Sequence, residues 1–527
     1  MKLDLKLKGG LVVDGSGQDK FAADIGIKDG IIVTIGNLSK DAAVEEYDIN
    51  GFVVAPGFID IHSHSDFSLL ANPLASGKVY QGVTTEVVGN CGSSAAPVTE
   101  ESKGSVIRNL QEYKLNLNWN DFTGYFKEIN RKGCALNIAS LVGHGLLRKS
   151  VMGDKTGEPT NTELKKMQKL LAQAMEGGAW GLSTGLIYPP SSYAKTDELI
   201  KLSKVVAEYN GIYASHIRNE GDKLITAVEE TIEIGKQAEV VVQISHHKTT
   251  GRKNWGKVKR TLELIANANQ KGLNINCDVY PYLATSTGLA ALLPPEVNKG
   301  GRRKVLKMLQ EEETIIKIRK YWQRERREKE SWDKILIAEV SQSDNQQLIG
   351  KSIQQIAEEE SSPPEDIAIN LLIAEELSVS MVKFSMLEAD LEEVITSNFS
   401  MIGSDALTRV KDGILDKGKP HPRAYGTFPK VIKEFVVDKE LLTLEAAIKK
   451  MTSMPAQKLG LSDRGKIAPN LIADLVVFEL NQIKDRSTYS NPHQYAQGIK
   501  HLLVNGQFVI KDYQQNNNLP GKVLCPV

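Results

Sequence analysis

From Phe58 onward the chain alternates short apolar runs with amphipathic stretches, and that rhythm restricts what it can fold into. GFIDIH, GVTTEVVGNC and ALNIASLVGH are successive apolar runs. Between Thr162 and Met175, residues Leu164, Met167, Leu170, Leu171, Ala174 and Met175 recur at helical spacing, and Gly177-Gly178 stops the pattern. GAWGLSTGLIY then reads as a strand, Asp197 to Tyr209 as a helix and IYASHI as a strand. Gly221 to Gly235 is the next helix, VVVQISH the next strand, and Val258 to Lys271 with LNINCDVY continues the series. Strands joined by helices of this length predict an α/β chain with a parallel sheet or a β/α barrel.

The two ends of the chain follow a different period. Leu3, Leu5 and Leu7 alternate with Lys2, Asp4, Lys6 and Lys8, as in a half-buried strand. Asp29-Gly30, between Ile25/Ile27 and Ile31, marks a hairpin. Near the other end, LTLEAAIKKM is a helix that stops before Pro455, and ADLVVFEL and HLLVNGQFVI return to β structure with a second hairpin at Asn505-Gly506. Residues 1–55 and 441–527 are therefore expected to build one small β domain beside a barrel over 56–440. Residues 285–340 break the barrel rhythm. The charged run from Arg302 to Lys334 reads as a solvated helical insert, with a lid over the site as the sharper alternative. KILIAEV and SVSMVKFS bring the candidate strands between 58 and 405 to ten, for eight barrel places. The first surplus strand is assigned to the insert, and the second has no clear place.

Bulk properties exclude some roles. Lys+Arg and Asp+Glu both number 65, so nucleic acid and anionic membrane are not expected partners. No stretch approaches the ~20 apolar residues of a membrane helix, and MKLDLKLKGG has no signal-peptide core. The 4 Cys residues are too few and too scattered for a disulfide framework, which predicts a reducing, cytoplasmic setting.

The chemistry concentrates at predicted strand ends. In Asp60-Ile61-His62-Ser63-His64, period 2 places both imidazoles on one face. Cys91 in GNCG, His216 in YASHI, His246 in QISHHK and Asp405 in MIGSD occupy other strand ends. In a β/α barrel the C-terminal strand ends converge on one site. Each residue alone reads as structural, but together they predict a metal centre. Imidazoles with a thiolate suit zinc, and Asp405 is placed to move protons for a metal-activated water. His247 points away from the mouth by the same period, so His246 is the expected ligand. His144 is expected to line the site or support it, and Asp60 to orient a ligand imidazole.

APGFIDIHSHSD, GVTTEVVGNCG, LVGHGLLR, GLSTGLIYPP, SHIRNEG, QISHHK, CDVYPY, IGSD and HPRAYGTFP occur in that order. Through them the chain resembles the N-acyl-D-amino-acid deacylases (D-aminoacylases) of the amidohydrolase superfamily. The resemblance implies a (β/α)8 TIM-like metal-dependent hydrolase barrel with a β-sandwich made from both termini. It implies one tightly held Zn2+ on Cys91, His216 and His246, and a second, weaker site on His62, His64 and Asp405, with Asp405 as catalytic base and acid. It also implies substrate binding by Lys248, Tyr188, Tyr280, Ser286 and Arg423. The expected reaction is hydrolysis of an N-acyl-D-amino acid to a carboxylate and a free D-amino acid. Many amidohydrolases carry a carboxylated lysine on the fourth strand. GAWGLSTGLIY has no lysine, and the resemblance makes the Cys91 thiolate its substitute. That departure disfavours the main alternative, a D-hydantoinase- or dihydroorotase-like hydrolase of cyclic amides or ureides. A non-catalytic barrel scaffold is the third reading, opposed by the full set of ligand residues.

Overall fold

Val83–Val88 is buried at every position, the mark of a parallel strand covered on both faces. A computed structural model of the chain describes residues 2–328 and 331–526. Lys329 and Glu330, within the charged run read as an insert, lie outside the described residues. Eight strands make the barrel: Phe58–Asp60, Val83–Val88, Asn137–Ser140 continued by Val142–Gly143, Gly181–Gly185, Ile212–His216, Val241–Ile244, Ile275–Val279 and Ser400–Ile402. Neighbours pair in parallel along the first three strands and from the third to the eighth. Between the eighth strand and the first, the described ladder is reduced to a single parallel bridge, Ser63 to Ala406.

Ile61, Val87, Ala139, Ala214 and Met401 form a cluster shared by strands from around the ring, so the barrel is filled rather than hollow. Leu524 belongs to the same cluster, and its carbonyl accepts the Trp180 indole N–H at 2.7 Å. Outside the strands lie the helices the periodicity predicts. Asn161–Glu176 starts at a Thr160/Glu163 capping box, ends at Gly177 and buries Met167, Leu171, Ala174 and Met175. Thr196–Glu208 buries Leu199, Leu202, Val205 and Val206.

Both ends of the chain enter one connected nine-stranded sheet. Its central link is Val53–Pro56 running antiparallel to Leu475–Phe478. Leu5, Leu7, Ile25, Val54, Leu475, Val477 and Leu503 share one core along five neighbouring strands of that sheet, so residues from both ends of the chain bury one apolar face together.

The departure from the barrel is longer than the 285–340 expected. Ala284–Gly288, Ser380–Phe384 and Ile335–Glu339 form a separate three-stranded antiparallel sheet, in that spatial order. SVSMVKFS, the strand without a clear place, is its centre. A short apolar strand carries no mark of which sheet it will join, and only the antiparallel pairing decides it. The insert has its own core, which includes Trp322, Trp332, Ile337, Ile353, Leu372 and Met381. The barrel resumes with helix Glu388–Thr396, whose Leu391, Val394 and Ile395 pack into the main core. Among the described residues no helix is long and apolar enough to cross a membrane.

Candidate metal centre and active site

Three of the candidate residues adopt a backbone conformation that L-residues rarely take. Cys91, His246 and Asp405 have φ of 52°, 35° and 49°. Such residues cost on the order of 1–3 kcal/mol each and persist only where the surroundings over-determine them. All three lie just beyond a barrel strand, where the left-handed turn takes the side chain out of strand alternation. Two glycines make room. A Cβ at Gly185 would lie 2.2 Å from the Cys91 carbonyl oxygen, and one at Gly403 would lie 2.7 Å from the Cβ of His62.

The side chains meet. Cys91 Sγ lies 3.3 Å from His62 Nε2 and 3.5 Å from His246 Nε2. His216 Nδ1 is 2.8 Å from His246 Nε2. Asp405 Oδ1 is 3.0 Å from His64 Nε2 and 3.5 Å from His62 Nε2. Cys91, His62, His246 and Asp405 each offer one ligand atom, all within 4.8 Å of one another. The set is rich in acceptors: a thiolate, a carboxylate and imidazole nitrogens at such distances need protons or a cation between them. A divalent cation fits this donor set, and its softness favours zinc. His247 is turned away, with Nε2 2.8 Å from Thr261 Oγ1 on the helix layer.

Electrostatics favours the charged ligand forms. Burial opposes a Cys91 thiolate, but the imidazoles of His62 and His246 hold the thiol well below its ordinary range. Burial likewise works against an ionised Asp405. Arg423, then His246, His64 and His62, outweigh it and keep the carboxyl well below the usual carboxylate range. The Arg423 contact is direct, Nη1 to Oδ2 at 2.7 Å.

Several functional residues carried no signal that the sequence reading used. Asp278 Oδ1 is 3.0 Å from His62 Nδ1 and also accepts the His246 amide at 2.7 Å. Glu220 Oε1 is 3.0 Å from His246 Nδ1. Asp278 takes Nδ1 of His62 and leaves its Nε2 for the cluster, the tautomer a ligand imidazole needs; at His246, Glu220 and the Lys248 ammonium, at 2.8 Å, both meet Nδ1 and leave Nε2 facing the cluster. A carboxylate inside the apolar run CDVY was the available clue, because a buried charge demands a partner. Asp60, expected to orient an imidazole, instead accepts the amides of His62 at 3.3 Å and Ser404 at 2.8 Å and pairs with Lys78. His144 lies between Ser191 Oγ and Glu198 Oε1, both at 2.9 Å.

The expected substrate residues surround the same mouth. Arg423 stacks over the Tyr280 ring at 4.6 Å and reaches the Ser286 carbonyl at 3.3 Å. The Tyr280 hydroxyl is buried without a hydrogen bond of ordinary geometry. Tyr188 pairs with Thr287 Oγ1 at 2.9 Å and sets its ring edge-on to His216 at 5.1 Å. Lys248 Nζ donates to Glu220 at 2.5 Å and to the His246 carbonyl at 2.8 Å.

Residues 45–291 and 402–510 match the model of the amidohydrolase family, and the unmatched stretch between them holds most of the insert. This chain belongs to the amidohydrolase family. This amidohydrolase is 35% identical over 522 residues to the D-aminoacylase of Alcaligenes xylosoxydans xylosoxydans, covering 99% of this chain and 97% of that one. It is also 35% identical to the N-acyl-D-glutamate deacylase of the same organism, covering 99% and 96%. The crystal structure of N-acyl-D-glutamate deacylase from Bordetella bronchiseptica, complexed with zinc and a phosphonate mimic of the tetrahedral intermediate, superposes with a TM-score of 0.84. That match has 34% identity and covers 100% of both chains.

Proposed function

We propose that this amidohydrolase hydrolyses the amide bond of N-acyl-D-amino acids, giving a carboxylate and a free D-amino acid. The observation that carries the reading is the convergence of Cys91, His216, His246, His62, His64 and Asp405 at one barrel mouth with Arg423 against Asp405. It occurs in a chain aligned end to end with a D-aminoacylase and an N-acyl-D-glutamate deacylase. Cys91, His216 and His246 would hold a tight Zn2+, and His62, His64 and Asp405 a weaker one. Bound zinc supplies Lewis acidity to an amide carbonyl and to water.

The protein's own groups do the rest. Asp405 accepts the proton of the attacking water as its oxygen joins the carbonyl carbon. It then returns that proton to the nitrogen as the C–N bond breaks. Arg423 receives the α-carboxylate, for which a planar guanidinium is suited. Lys248 adds positive charge beside it, and Tyr188, Tyr280 and Ser286 supply hydroxyls. The D preference is carried by the relatives, since no distance in the site encodes it. A fourth strand without lysine supports a linear amide over a cyclic one.

The test is a panel of N-acetyl-D- and N-acetyl-L-amino acids with acidic, polar and apolar side chains, run on zinc-replete protein together with hydantoin and dihydroorotate. Turnover of at least one D-substrate, far above its L-enantiomer, is expected. Ring opening without D-amide hydrolysis would transfer the reading to the cyclic-amide class.

A further inference from the structure

The eighth barrel strand is only three residues long, Ser400–Ile402, and among the described residues its ladder runs to the seventh strand alone. On the other side stands the first strand, with the His62 and His64 segment. Across that seam the backbones meet through few bonds: Asp405 N to His62 O at 2.8 Å, His64 N to Ala406 O at 3.3 Å, and the Ser63–Ala406 bridge. The seam nevertheless separates Asp405 from the two imidazoles it must face, and Asp405 is in the left-handed region.

Beneath the seam lies a charged knot that the reaction does not use. The Lys78 side chain is 0% exposed. Its ammonium donates to Asp60 Oδ2 at 2.7 Å, to Ser404 Oγ at 2.7 Å and to the Ala406 carbonyl at 2.9 Å, and it pairs with Glu86 Oε1 at 2.9 Å. Asp60 holds both the amide and the hydroxyl of Ser404, at 2.8 and 2.6 Å. Glu86 takes the Ser63 hydroxyl at 2.6 Å and the Ser65 hydroxyl at 3.0 Å. Ser65 Oγ in turn accepts the Thr408 amide at 2.8 Å. One cation thus reaches both neighbours of Asp405 directly and both serines that bracket His64 through Glu86.

A buried ion pair is a poor source of stability compared with apolar packing, and its best-attested use is to fix one register. We infer that Lys78 is a positioning residue whose ammonium locks the seam between the first and eighth strands and so sets Asp405 against His62 and His64. The inference rests on the reading of Asp405 as the proton-transferring group.

The test uses the full chain with three variants: Lys78→Met, Ser404→Ala and the charge-matched Lys78→Met/Glu86→Gln. For each, kcat and KM on the preferred N-acetyl-D-amino acid are measured with zinc content and with hydrogen exchange of peptides spanning 60–66 and 403–409. Misplacing a catalytic group by about 1 Å costs roughly 100-fold in rate. A loss of that order in kcat is expected, with KM and zinc content close to wild type and faster exchange confined to the two seam peptides. A wild-type kcat in folded, zinc-loaded Ser404→Ala overturns the inference, as does a kcat loss with unchanged seam exchange. Should Lys78→Met fail to fold, Ser404→Ala decides. Should the wild-type chain hydrolyse no N-acyl substrate, the reading of the reaction fails separately, and seam exchange alone decides whether Lys78 holds the two loops.

Discussion

Cys91 and Asp405 belong to the same cluster, with ligand atoms within 4.8 Å of each other, but their substitutions should fail in different ways. Cys91 Sγ lies against His62 and His246, and His246 in turn meets His216, so Cys91→Ala removes the one sulfur from the proposed ligand set. It should lose both tight zinc and turnover. Asp405 faces His64 and Arg423 at the edge of the cluster. Asp405→Ala should keep the tight zinc and lose turnover by the factor of about 100 to 10,000 typical of a removed acid–base group. Metal analysis beside steady-state kinetics separates the two. Full zinc and full rate in Cys91→Ala would break the ligand assignment. The types of these residues could be read from the chain because each ends an apolar run. Glu220 and Asp278 could not be assigned their role, since the distance from a carboxylate to a particular ring nitrogen is set by tertiary structure. Lys78 was still more hidden: it lies in SGKVYQ, where a lysine reads as exposed, yet the fold encloses it completely.

Barrel strands and their helices were legible because their periods are intrinsic to the backbone. Met167, Leu171, Ala174 and Met175 recur as one helical face whatever the helix packs on. Partner choice was not legible. Ser380–Phe384 is as apolar as a barrel strand, and only its antiparallel neighbours put it in the insert. The eighth strand offers a test at this scale. Its end passes so near His62 that a methyl at Gly403 would overlap that residue's Cβ, and it would also approach Asp278 Oδ1 at 3.2 Å. Gly403→Ala should therefore push the strand outward, at a cost of about 1–3 kcal/mol for overpacking. Chemical denaturation should show that loss, with a fall in kcat alongside it as His62 leaves Asp278. A variant with wild-type stability and rate would show that the close approach is not obligatory.

For the whole molecule, pH should act on the terminal sheet through His501. The ring lies between Tyr47 and Phe508, with centroids at 5.5 and 5.4 Å, and Nδ1 accepts the Asp512 amide at 3.2 Å. Burial pushes the imidazole down to about 4; Asp512 opposes that shift, while Lys500 and Lys511 add to it. In the unfolded chain a histidine titrates near about 6.5. Its contribution to stability is therefore complete above about 6.5 and is lost as pH falls from there towards 4, for a total of about 3 kcal/mol. Urea midpoints of metal-free protein should fall over that window, and less steeply in His501→Gln. Parallel slopes for the two proteins would exclude His501 as the source. The strands that surround this ring come from both ends of the chain, and Val53–Pro56 is bonded to Leu475–Phe478 across more than four hundred intervening residues. In terms of connectivity the polypeptide is a loop whose ends are buttoned together. A single protease cut inside the insert would leave two fragments still clasped at their far ends and still sharing one barrel. The molecule is thus suited to being split in two and reassembled.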